Sequence, residues 1–355
     1  MKSIKSGNTK IHFKVKAYDA LNKLIKAENY SKIVVLVDEN THVHCLPVFL
    51  PMVESHVEID VIEIEAGEIY KSIDTVISVY EALSDLDVDR KSLLINLGGG
   101  VITDLGGFVA STFKRGIAFV NVPTSLLGMV DASIGGKTGV DLEHLKNQIG
   151  VVNTGEMVLI DTGFLNTLPD LQMRSGMAEM LKHGLIKDES YWERMSNWSE
   201  LDAQSMEVLI HESIQIKQAI VDQDPLEKGP RKSLNFGHTL GHAIESYYLT
   251  YDGKESLLHG EAIAIGMVLA CFISHKELGF PALKLEAVKA TMHGLYGIAD
   301  IDEYDYEPIV ELLKFDKKNS HGNINFVLLE DIGKVKLDCT IDNALIYEAF
   351  KYYAK

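Results

Sequence analysis

The stretch Ser92-Leu-Leu-Ile-Asn-Leu-Gly-Gly-Gly-Val-Ile-Thr-Asp104 decides the predicted fold class of this chain. Its apolar first half is typical of a buried β-strand, and its glycines stand where such a strand would pass into a helix. At the start of that helix, backbone N–H groups could approach an anion closely, because glycine has no side chain and this end of a helix is positive. The stretch lacks the usual Gly-x-Gly-x-x-Gly fingerprint of dinucleotide sites, so phosphate binding and a simple tight turn both remain open.

Comparable apolar, β-branched runs occur on both sides of this stretch and alternate with helical patterns. They lie at 32–37, 57–64, 92–97, 117–122 and 157–160. Such alternation predicts a parallel α/β sheet, whose ligands bind beyond the carboxyl ends of the strands. Polar or glycine-rich segments follow four of the predicted strands, at 38–40, 67–71, 98–100 and 123–125. A cofactor site is therefore expected at this edge of the sheet.

The second half of the chain has a different pattern. After residue 161 it is helical almost throughout, with a polar interruption at 222–231 and one late strand at 324–329. A chain of 355 residues is too long for one ordinary core. We therefore predict an N-terminal Rossmann-like α/β domain with a parallel sheet over 1–165, followed by a mainly α-helical domain over 166–355.

The chain is acidic, with 51 acidic against 34 basic residues and a formal net charge of -17. Nucleic acid and anionic membrane surfaces are therefore not expected as partners, and an anionic substrate must meet a local basic cluster. The three cysteines are isolated in sequence, which indicates a reducing compartment rather than disulfides or a cysteine metal site. The first residues lack an apolar signal core, and the longest apolar run, 262–272, is too short to span a bilayer. We expect a cytoplasmic location.

A candidate metal site lies in Asn235-Phe-Gly-His-Thr-Leu-Gly-His242 and the later His259. We expect Asn235 to cap a helix that carries His238 and His242 one turn apart, because residues separated by four positions share a helix face. We expect His259 to begin a second helix. Catalytic zinc takes three protein ligands, so three imidazoles need at most one carboxylate, for which Glu179 is the candidate. The alternative is that these are partly buried histidines hydrogen-bonded to the backbone.

A second glycine-bearing segment, Asp131-Ala-Ser-Ile-Gly-Gly-Lys-Thr-Gly139, leads to Lys146 and Asn147. Two lysines beside flexible backbone suit an anion better than a packed core. The alternative is a solvated loop whose charges are incidental. The segment is therefore a second candidate for anion binding.

Six sequence blocks occur in order along the chain: Gly98-Gly-Gly-Val-Ile-Thr-Asp-Leu-Gly-Gly-Phe108, Pro123-Thr-Ser-Leu-Leu127, Val130-Asp-Ala-Ser-Ile-Gly-Gly-Lys-Thr-Gly-Val140, Lys146-Asn-Gln-Ile-Gly150, Ser175-Gly-Met-Ala-Glu179 and Asn235-Phe-Gly-His-Thr-Leu-Gly-His242. Together they resemble the 3-dehydroquinate synthase family, over nearly the whole chain from about Asp38 to the Asp316-Lys-Lys-Asn319 segment. The resemblance implies a homodimer that uses NAD and a divalent metal ion, Zn2+ or Co2+. It implies a step of the shikimate pathway, the conversion of 3-deoxy-D-arabino-heptulosonate 7-phosphate to 3-dehydroquinate and phosphate. The implied steps are transient oxidation by NAD, β-elimination, re-reduction and intramolecular aldol cyclisation.

The same resemblance assigns roles to individual residues. The metal ligands would be Glu179, His238 and His259. His242 would instead join Glu227 in proton transfer, and Arg115 would reach the active site of the neighbouring subunit. Substrate contacts would come from Asp131, Lys137, Asn147, Lys182, Lys217, Arg231, Asn235 and the pair Lys317 and Lys318. NAD contacts would come from Asp38 and Asn40 near the adenosine end, and from Glu68, Lys71, Gly98, Gly99, Gly100, Asp104, Thr124, Ser125, Lys137, Lys146, Phe164, Leu165, Asn166 and Thr167.

Three other protein classes share parts of this pattern. A sugar phosphate cyclase of secondary metabolism accepts a substrate without the carboxylate, whereas Asn147, Lys217, Arg231 and the 317–318 lysine pair favour a carboxylate-bearing one. An iron-dependent alcohol or glycerol dehydrogenase would carry a Pro-Thr-Thr-x-Gly-Thr-Gly-Ser loop, where this chain has Pro123-Thr-Ser-Leu-Leu127. A non-catalytic NAD-binding regulator would keep the glycines but lose Glu179 or a histidine, and all are present.

Overall fold

The computed structural model describes residues 1–7, 9–143, 145–251, 253–313 and 324–355 of the chain. It divides into two compact units, Met1–Pro169 and Asp170–Lys355. The boundary predicted from the sequence, between residues 165 and 166, lies slightly earlier. Among the described residues, no helix is both long and apolar enough to cross a membrane.

The elements of the first unit alternate between strands and helices. Its strands are β1 (Ile4–Ser6), β2 (Thr9–Phe13), β3 (Ile33–Asp38), β4 (Ile59–Ile64), β5 (Leu93–Gly98), β6 (Ala118–Pro123), β7 (Lys137–Leu142), β8 (Leu145–Val152) and β9 (Met157–Ile160). Its helices are α1 (Val15–Glu28), α2 (Glu39–His44), α3 (Leu46–Phe49), α4 (Ile73–Asp85) and α5 (Gly100–Thr112).

The second unit is mainly helical. Its helices are α6 (Asp170–Lys187), α7 (Glu189–Ser196), α8 (Ala203–Gln223), α9 (His238–Thr250), α10 (His259–Leu278), α11 (Ala282–Tyr296), α12 (Glu303–Leu312) and α13 (Asn343–Tyr353). Its described strands are β10 (Phe326–Asp331) and β11 (Lys334–Cys339), which pair antiparallel. The prediction of an α/β half followed by a mainly helical half is confirmed.

In the described part of the first unit, a seven-stranded sheet has the order β1-β2-β9-β6-β5-β3-β4. All neighbours are parallel except β1 and β2. The five strands predicted from the sequence are β3, β4, β5, β6 and β9, and their order changes direction between β3 and β5. Ligands of doubly wound sheets bind at such a reversal, beyond the carboxyl ends of the strands. Here those ends are Asp38 and Gly98.

The stretch from Ser92 to Asp104 forms a strand and a helix joined by a very short turn. Every residue of β5 is buried, β5 ends at Gly98, and α5 begins at Gly100. A Cβ on Gly98 would lie 2.5 Å from Cβ of Ile102, so only glycine fits this turn. Close packing of the glycines therefore sets the start of α5 directly beyond the strand.

The predicted flexible loop before Lys146 is in part a β-hairpin, formed by β7 and β8. Gly139 lies opposite Gly150, and a Cβ on Gly139 would lie 2.3 Å from the carbonyl oxygen of Ile149. These glycines allow close strand pairing, so the expectation of flexible backbone was wrong for this part. The sequence pattern also gave no sign of β1, β2 or β11. Each is short or half-exposed and therefore lacks a continuous apolar run.

Helix α10 is the central element of the second unit. All its residues from 262 to 274 are buried, and it contacts α6, α9, α11, α13 and β10. A helix that is apolar on all sides is typical of such a central position. It packs very closely on α9, because a Cβ on Gly266 would lie 2.0 Å from the carbonyl oxygen of Gly237. This contact fixes the distance between the two helices that carry the histidines.

Gly266→Ala should destabilise the second unit, because the added Cβ would overlap the Gly237 carbonyl oxygen. Overpacking of this kind costs about 1–3 kcal/mol. Gly294→Ala is the matched control, since Gly294 is exposed in α11 and no atom lies within 4 Å of a Cβ built there. Its helix propensity should raise stability by about 0.5–1 kcal/mol. Urea unfolding followed by circular dichroism measures both changes, and similar effects of the two variants would contradict the close α9–α10 contact.

Candidate metal and substrate site

Glu179 is the centre of a polar cluster in the second unit. It lies on α6, and its side chain is fully buried, with 0% exposure. Its Oε1 atom lies 3.3 Å from Nε2 of His238 and 3.7 Å from Nε2 of His259. Its Oε2 atom pairs with the ammonium group of Lys182, one turn further along α6. Side chains from α6, α9 and α10 therefore converge on one carboxylate.

A close backbone contact holds α10 against α6. The N–H of Gly260 donates to Oγ of Ser175 over 3.0 Å, and a Cβ on Gly260 would lie 2.2 Å from the Ser175 carbonyl oxygen. Only glycine therefore fits at this crossing. Because His259 is the neighbour of Gly260 in sequence, the contact keeps its ring beside Glu179.

The start of α9 differs from the expectation drawn from the sequence. The helix begins after Gly237, which has a φ of +77°, and Asn235 does not cap it. The amide of Asn235 instead donates to Oε1 of Glu227 over 2.8 Å. The prediction of an Asn235 cap was wrong because the chain turns through a left-handed glycine, which separates Asn235 from the helix. His238 and His242 do lie one turn apart on α9, with ring centroids 5.1 Å apart.

Both histidines nearest Glu179 are held through their other ring nitrogen. Nδ1 of His238 lies 3.1 Å from the carbonyl oxygen of Phe236, and Nδ1 of His259 lies 3.2 Å from Oε2 of Glu245. These contacts leave Nε2 of each ring facing Glu179. Sequence reasoning missed Glu245, although its position seven residues after His238 places both on the same face of α9.

This donor set fits a divalent metal ion. The ligand atoms of His238, His242 and His259 lie within 4.8 Å of one another, and Glu179 adds a carboxylate. Burial alone would raise the pKa of Glu179, but the charges of Lys182 and His238 hold it well below its usual range. Burial alone would lower the pKa of His259, yet two neighbouring carboxylates raise it to about 10. The cluster therefore favours positive charge, and carboxylate and imidazole are donors that bind zinc.

Buried basic side chains accompany the carboxylate and histidines in the second unit. Lys182 lies on α6, Lys217 on α8 and Arg231 in the helical turn Pro230–Asn235, and these three elements contact one another. Burying a cation costs free energy unless an anion pairs with it. The second unit therefore carries three buried basic residues on elements that contact one another, as expected if an anionic substrate binds to this acidic chain.

Asp224 organises the loop that carries Glu227 and Arg231. Its carboxylate accepts hydrogen bonds from the backbone N–H groups of Lys228, Gly229 and Arg231. The Arg231 guanidinium donates to the carbonyl oxygen of Pro225 over 2.7 Å. Glu227 has a φ of +58°, in the left-handed region that residues other than glycine rarely adopt. Backbone strain of this kind is often found at functional residues.

In the first unit, Lys71 is the buried centre of another polar cluster. Its ammonium group donates to Oδ2 of Asp104 and Oδ1 of Asn147, both over 2.7 Å. Burial alone would lower the pKa of Lys71, but Asp104 and other nearby carboxylates raise it. Burial also raises the pKa of Asp104, although Lys71 opposes this shift. The structure thus joins two residues assigned to the cofactor to Asn147, which was assigned to the substrate.

The other cofactor candidates follow the carboxyl ends of β3, β4, β5, β6 and β9. The Asp38 carboxylate caps α2 by accepting from the Thr41 N–H over 2.8 Å, and Asn40 beside it is exposed. The Thr124 N–H donates to the carbonyl oxygen of Gly98 over 3.0 Å, which ties the β6 end to the glycine turn. Ser125 lies against Gly99, which is followed by Gly100 at the start of α5. Glu68 forms an ion pair with Lys146. The helical turn Thr162–Thr167 contains the buried Phe164, followed by Leu165, Asn166 and Thr167.

The remaining predicted residues lie in less enclosed places. Lys137 is exposed at the start of β7, and Asp131 is half-buried in the helical turn Gly128–Ala132. Arg115 is exposed in the turn that follows α5. The predicted substrate contacts Lys317 and Lys318 lie outside the described residues.

Both parts of the chain match sequence models of one family. Residues 61–175 match 3-dehydroquinate synthase N-terminal, and residues 176–319 match 3-dehydroquinate synthase C-terminal. The chain belongs to the 3-dehydroquinate synthase family. The resemblance of the six sequence blocks is thereby confirmed.

Curated 3-dehydroquinate synthases match over most of their length. The enzyme from Parabacteroides distasonis is 40% identical over 94% of this chain and 94% of its own. The 3-dehydroquinate synthase from Clostridium botulinum is 39% identical over 90% of this chain and 91% of its own. A solved structure of 2-epi-5-epi-valiolone synthase from Streptomyces hygroscopicus, with NAD+ and Zn2+ bound, has a TM-score of 0.82 at 26% identity and covers 100% of this chain and 99% of that chain. The 3-dehydroquinate synthase fold is thus shared with another cyclase.

Substitution of a predicted metal ligand in this member of the 3-dehydroquinate synthase family should strip the metal. Substitution of a residue that only supports a ligand typically weakens metal binding about 10–100-fold. We expect Glu179→Gln, His238→Ala and His259→Ala each to weaken zinc binding by more than that. His242→Ala is the matched control on the same helix and should retain the metal while losing turnover. Metal analysis after dialysis decides between them. Full zinc content in Glu179→Gln together with loss in His242→Ala would reverse the assignment.

Proposed function

We propose that this chain converts 3-deoxy-D-arabino-heptulosonate 7-phosphate to 3-dehydroquinate and inorganic phosphate, using NAD and one divalent ion. The observation that carries the proposal is the convergence of His238 and His259 on the buried carboxylate of Glu179, within 3.7 Å. Membership of the 3-dehydroquinate synthase family supports the choice of reaction.

Glu179, His238 and His259 would hold the divalent ion, Zn2+ or Co2+. A bound ion would supply Lewis acidity that lowers the pKa of a substrate hydroxyl. The solved 2-epi-5-epi-valiolone synthase contains Zn2+, which supports this choice of ion. Lys182, paired with the same carboxylate, would then be available to a substrate anion once the cation shares the charge of Glu179.

The edge of the parallel sheet in the first unit would bind NAD. Bound NAD supplies reversible hydride acceptance, which makes the overall reaction redox-neutral. The backbone N–H groups from Gly98 to Gly100 would bind its pyrophosphate, because they lie at the N-terminus of α5, which is the positive end of the helix. Lys71 and Asp104 would fix the hairpin residue Asn147 beside this edge through their hydrogen bonds.

The basic residues of the second unit would bind the two anionic groups of the substrate. Lys182, Lys217 and Arg231 are buried, and charged hydrogen bonds to phosphate or carboxylate offset the cost of burying them. This requirement favours a substrate that carries both a carboxylate and a phosphate. The three buried basic residues are therefore our reason for preferring the 3-dehydroquinate synthase reaction to that of a cyclase whose substrate lacks the carboxylate.

Glu227 and His242 would serve the proton transfers. Glu227 is oriented by the amide of Asn235, which donates to its Oε1 atom, and a carboxylate held in this way can accept a substrate proton. His242 lies on α9 beside His238 and near His259, and an imidazole is the side chain most often used as a general acid or base. The phosphate of the substrate can accept a proton itself, so the protein residues mainly orient the reacting groups.

Turnover with less NAD than substrate tests the proposed reaction. We expect phosphate release to continue for many cycles per NAD, with 3-dehydroquinate as the carbocyclic product and no accumulation of NADH. A glycerol or alcohol dehydrogenase would instead form NADH in proportion to product. Such build-up, or a product that keeps its phosphate, would contradict the proposal.

We further propose that the enzyme is a cytoplasmic homodimer in which Arg115 completes the active site of the partner subunit. The isolated cysteines support a reducing compartment. Arg115 is exposed and has a φ of +70°, between Lys114 at +48° and Gly116 at +111°. Positive φ is costly at the two non-glycine residues Lys114 and Arg115, which supports a role for the direction in which this arginine projects. A guanidinium fork suits phosphate because two parallel N–H donors meet two oxygens.

Mixed dimers test this arrangement. Arg115→Ala should weaken substrate binding by about 2–3 kcal/mol, the cost of losing a charged hydrogen bond. If Arg115 acts across the interface, a mixed dimer of Arg115→Ala and Lys137→Ala holds one site that lacks both groups and one that lacks neither. When Arg115→Ala and Lys137→Ala are each nearly inactive alone, mixing them under subunit exchange should therefore restore activity. No recovery after confirmed exchange would contradict the shared site.

A further inference from the structure

Glu245 contacts Nδ1 of His259, whose Nε2 faces the proposed metal ligand Glu179. It lies on α9, and its side chain is buried, with 7% of the residue exposed. Its Oε2 atom lies 3.2 Å from Nδ1 of His259, while Nε2 of the same ring lies 3.7 Å from Oε1 of Glu179. The two ring nitrogens of His259 therefore face two different carboxylates.

A neutral imidazole has one N–H group, and the acceptor beside the ring decides which nitrogen carries it. An acceptor at Nδ1 keeps the proton there and leaves the lone pair of Nε2 for a metal ion. The two proposed imidazole ligands use different acceptors for this purpose. His238 uses the peptide carbonyl of Phe236, whereas His259 has the carboxylate of Glu245.

The acceptor beside His238 lies two residues earlier in the chain, whereas the acceptor beside His259 comes from another helix. His259 is the first residue of α10, and Glu245 reaches it from α9. The same helix α9 thus provides His238 and orients His259, and the close contact at Gly266 fixes its distance from α10. A carboxylate on α9 can therefore orient the imidazole ring of a ligand that lies on α10.

We propose that Glu245 is a positioning residue of the metal site, which accepts a hydrogen bond from Nδ1–H of His259 and directs Nε2 to the divalent ion. This role rests on the proposed metal-binding function of Glu179, His238 and His259. Glu245 itself does not bind the ion or the substrate. Its effect is on the orientation and tautomer of one ligand.

Two nearly isosteric substitutions separate positioning from packing. Glu245→Met keeps the length of the side chain but removes the oxygen acceptor, and we expect zinc affinity to fall about 10–100-fold. Glu245→Gln keeps an amide oxygen that can accept from Nδ1–H, and we expect affinity within a few-fold of the unchanged protein. Competition with a chromophoric chelator measures the dissociation constants, and circular dichroism of each metal-free protein checks folding.

Asp305→Asn is the matched control. Asp305 is another buried carboxylate of the second unit, with 5% exposure, and it accepts a hydrogen bond from the Tyr247 hydroxyl. Its substitution should lower the thermal midpoint of the metal-free protein without changing zinc affinity. A role of Glu245 in packing alone would make Glu245→Met behave like this control, which would overturn the proposal.

A measurement on the unchanged, zinc-loaded protein covers the case in which Glu245→Met does not fold. Nitrogen-15 NMR of labelled histidines should show a proton on Nδ1 of His259 and zinc on Nε2, with the signals assigned from His259→Gln. Zinc on Nδ1 would overturn the role of Glu245 and leave the proposed function intact. Failure of the unchanged protein to bind any divalent ion would overturn the proposed function, and this role with it.

Discussion

The buried negative charge of Glu179 is the constraint on which the structure of the second unit depends. A carboxylate removed from water needs positive or polar partners, and it has Lys182 on its own helix and imidazoles from α9 and α10. Bringing three helices this close requires crossings without side chains. Gly260 beside Ser175 and Gly266 beside Gly237 provide them. The glycines of this unit therefore serve the electrostatics of the site as much as the packing of the helices.

The first unit also contains a buried charge that needs polar partners, in this case the cation of Lys71. Lys71 is 4% exposed and holds Asp104 of α5 and Asn147 of the hairpin. This arrangement ties the helix that begins at the glycine turn to the strands that follow β6. A buried ion pair is weak evidence for extra stability, but it specifies one arrangement of the polar groups around it.

The central strands and the helical second half could be predicted because buried elements need continuous apolar runs. The β7–β8 hairpin could not, since Gly139 and Gly150 have the composition of a flexible loop and their close pairing appears only in three dimensions. The same limit applies to α9, where a left-handed Gly237 replaces the expected Asn235 cap. No spacing relates Glu179 to the histidines, so the residues alone offered it only as a candidate carboxylate, and the family resemblance assigned it as a predicted metal ligand. Neither the sequence spacing nor the family resemblance was used to identify Glu245, although its position seven residues after His238 places both on one face of α9.

The coordination of the divalent ion tests the central claim most directly. Crystals of the zinc-loaded protein, measured at the zinc absorption edge, should show one anomalous peak in the second unit. The peak should lie about 2.0–2.2 Å from a Glu179 oxygen and from Nε2 of both His238 and His259. A peak bonded to His242 in place of Glu179, or coordination through Nδ1, would contradict the proposed site.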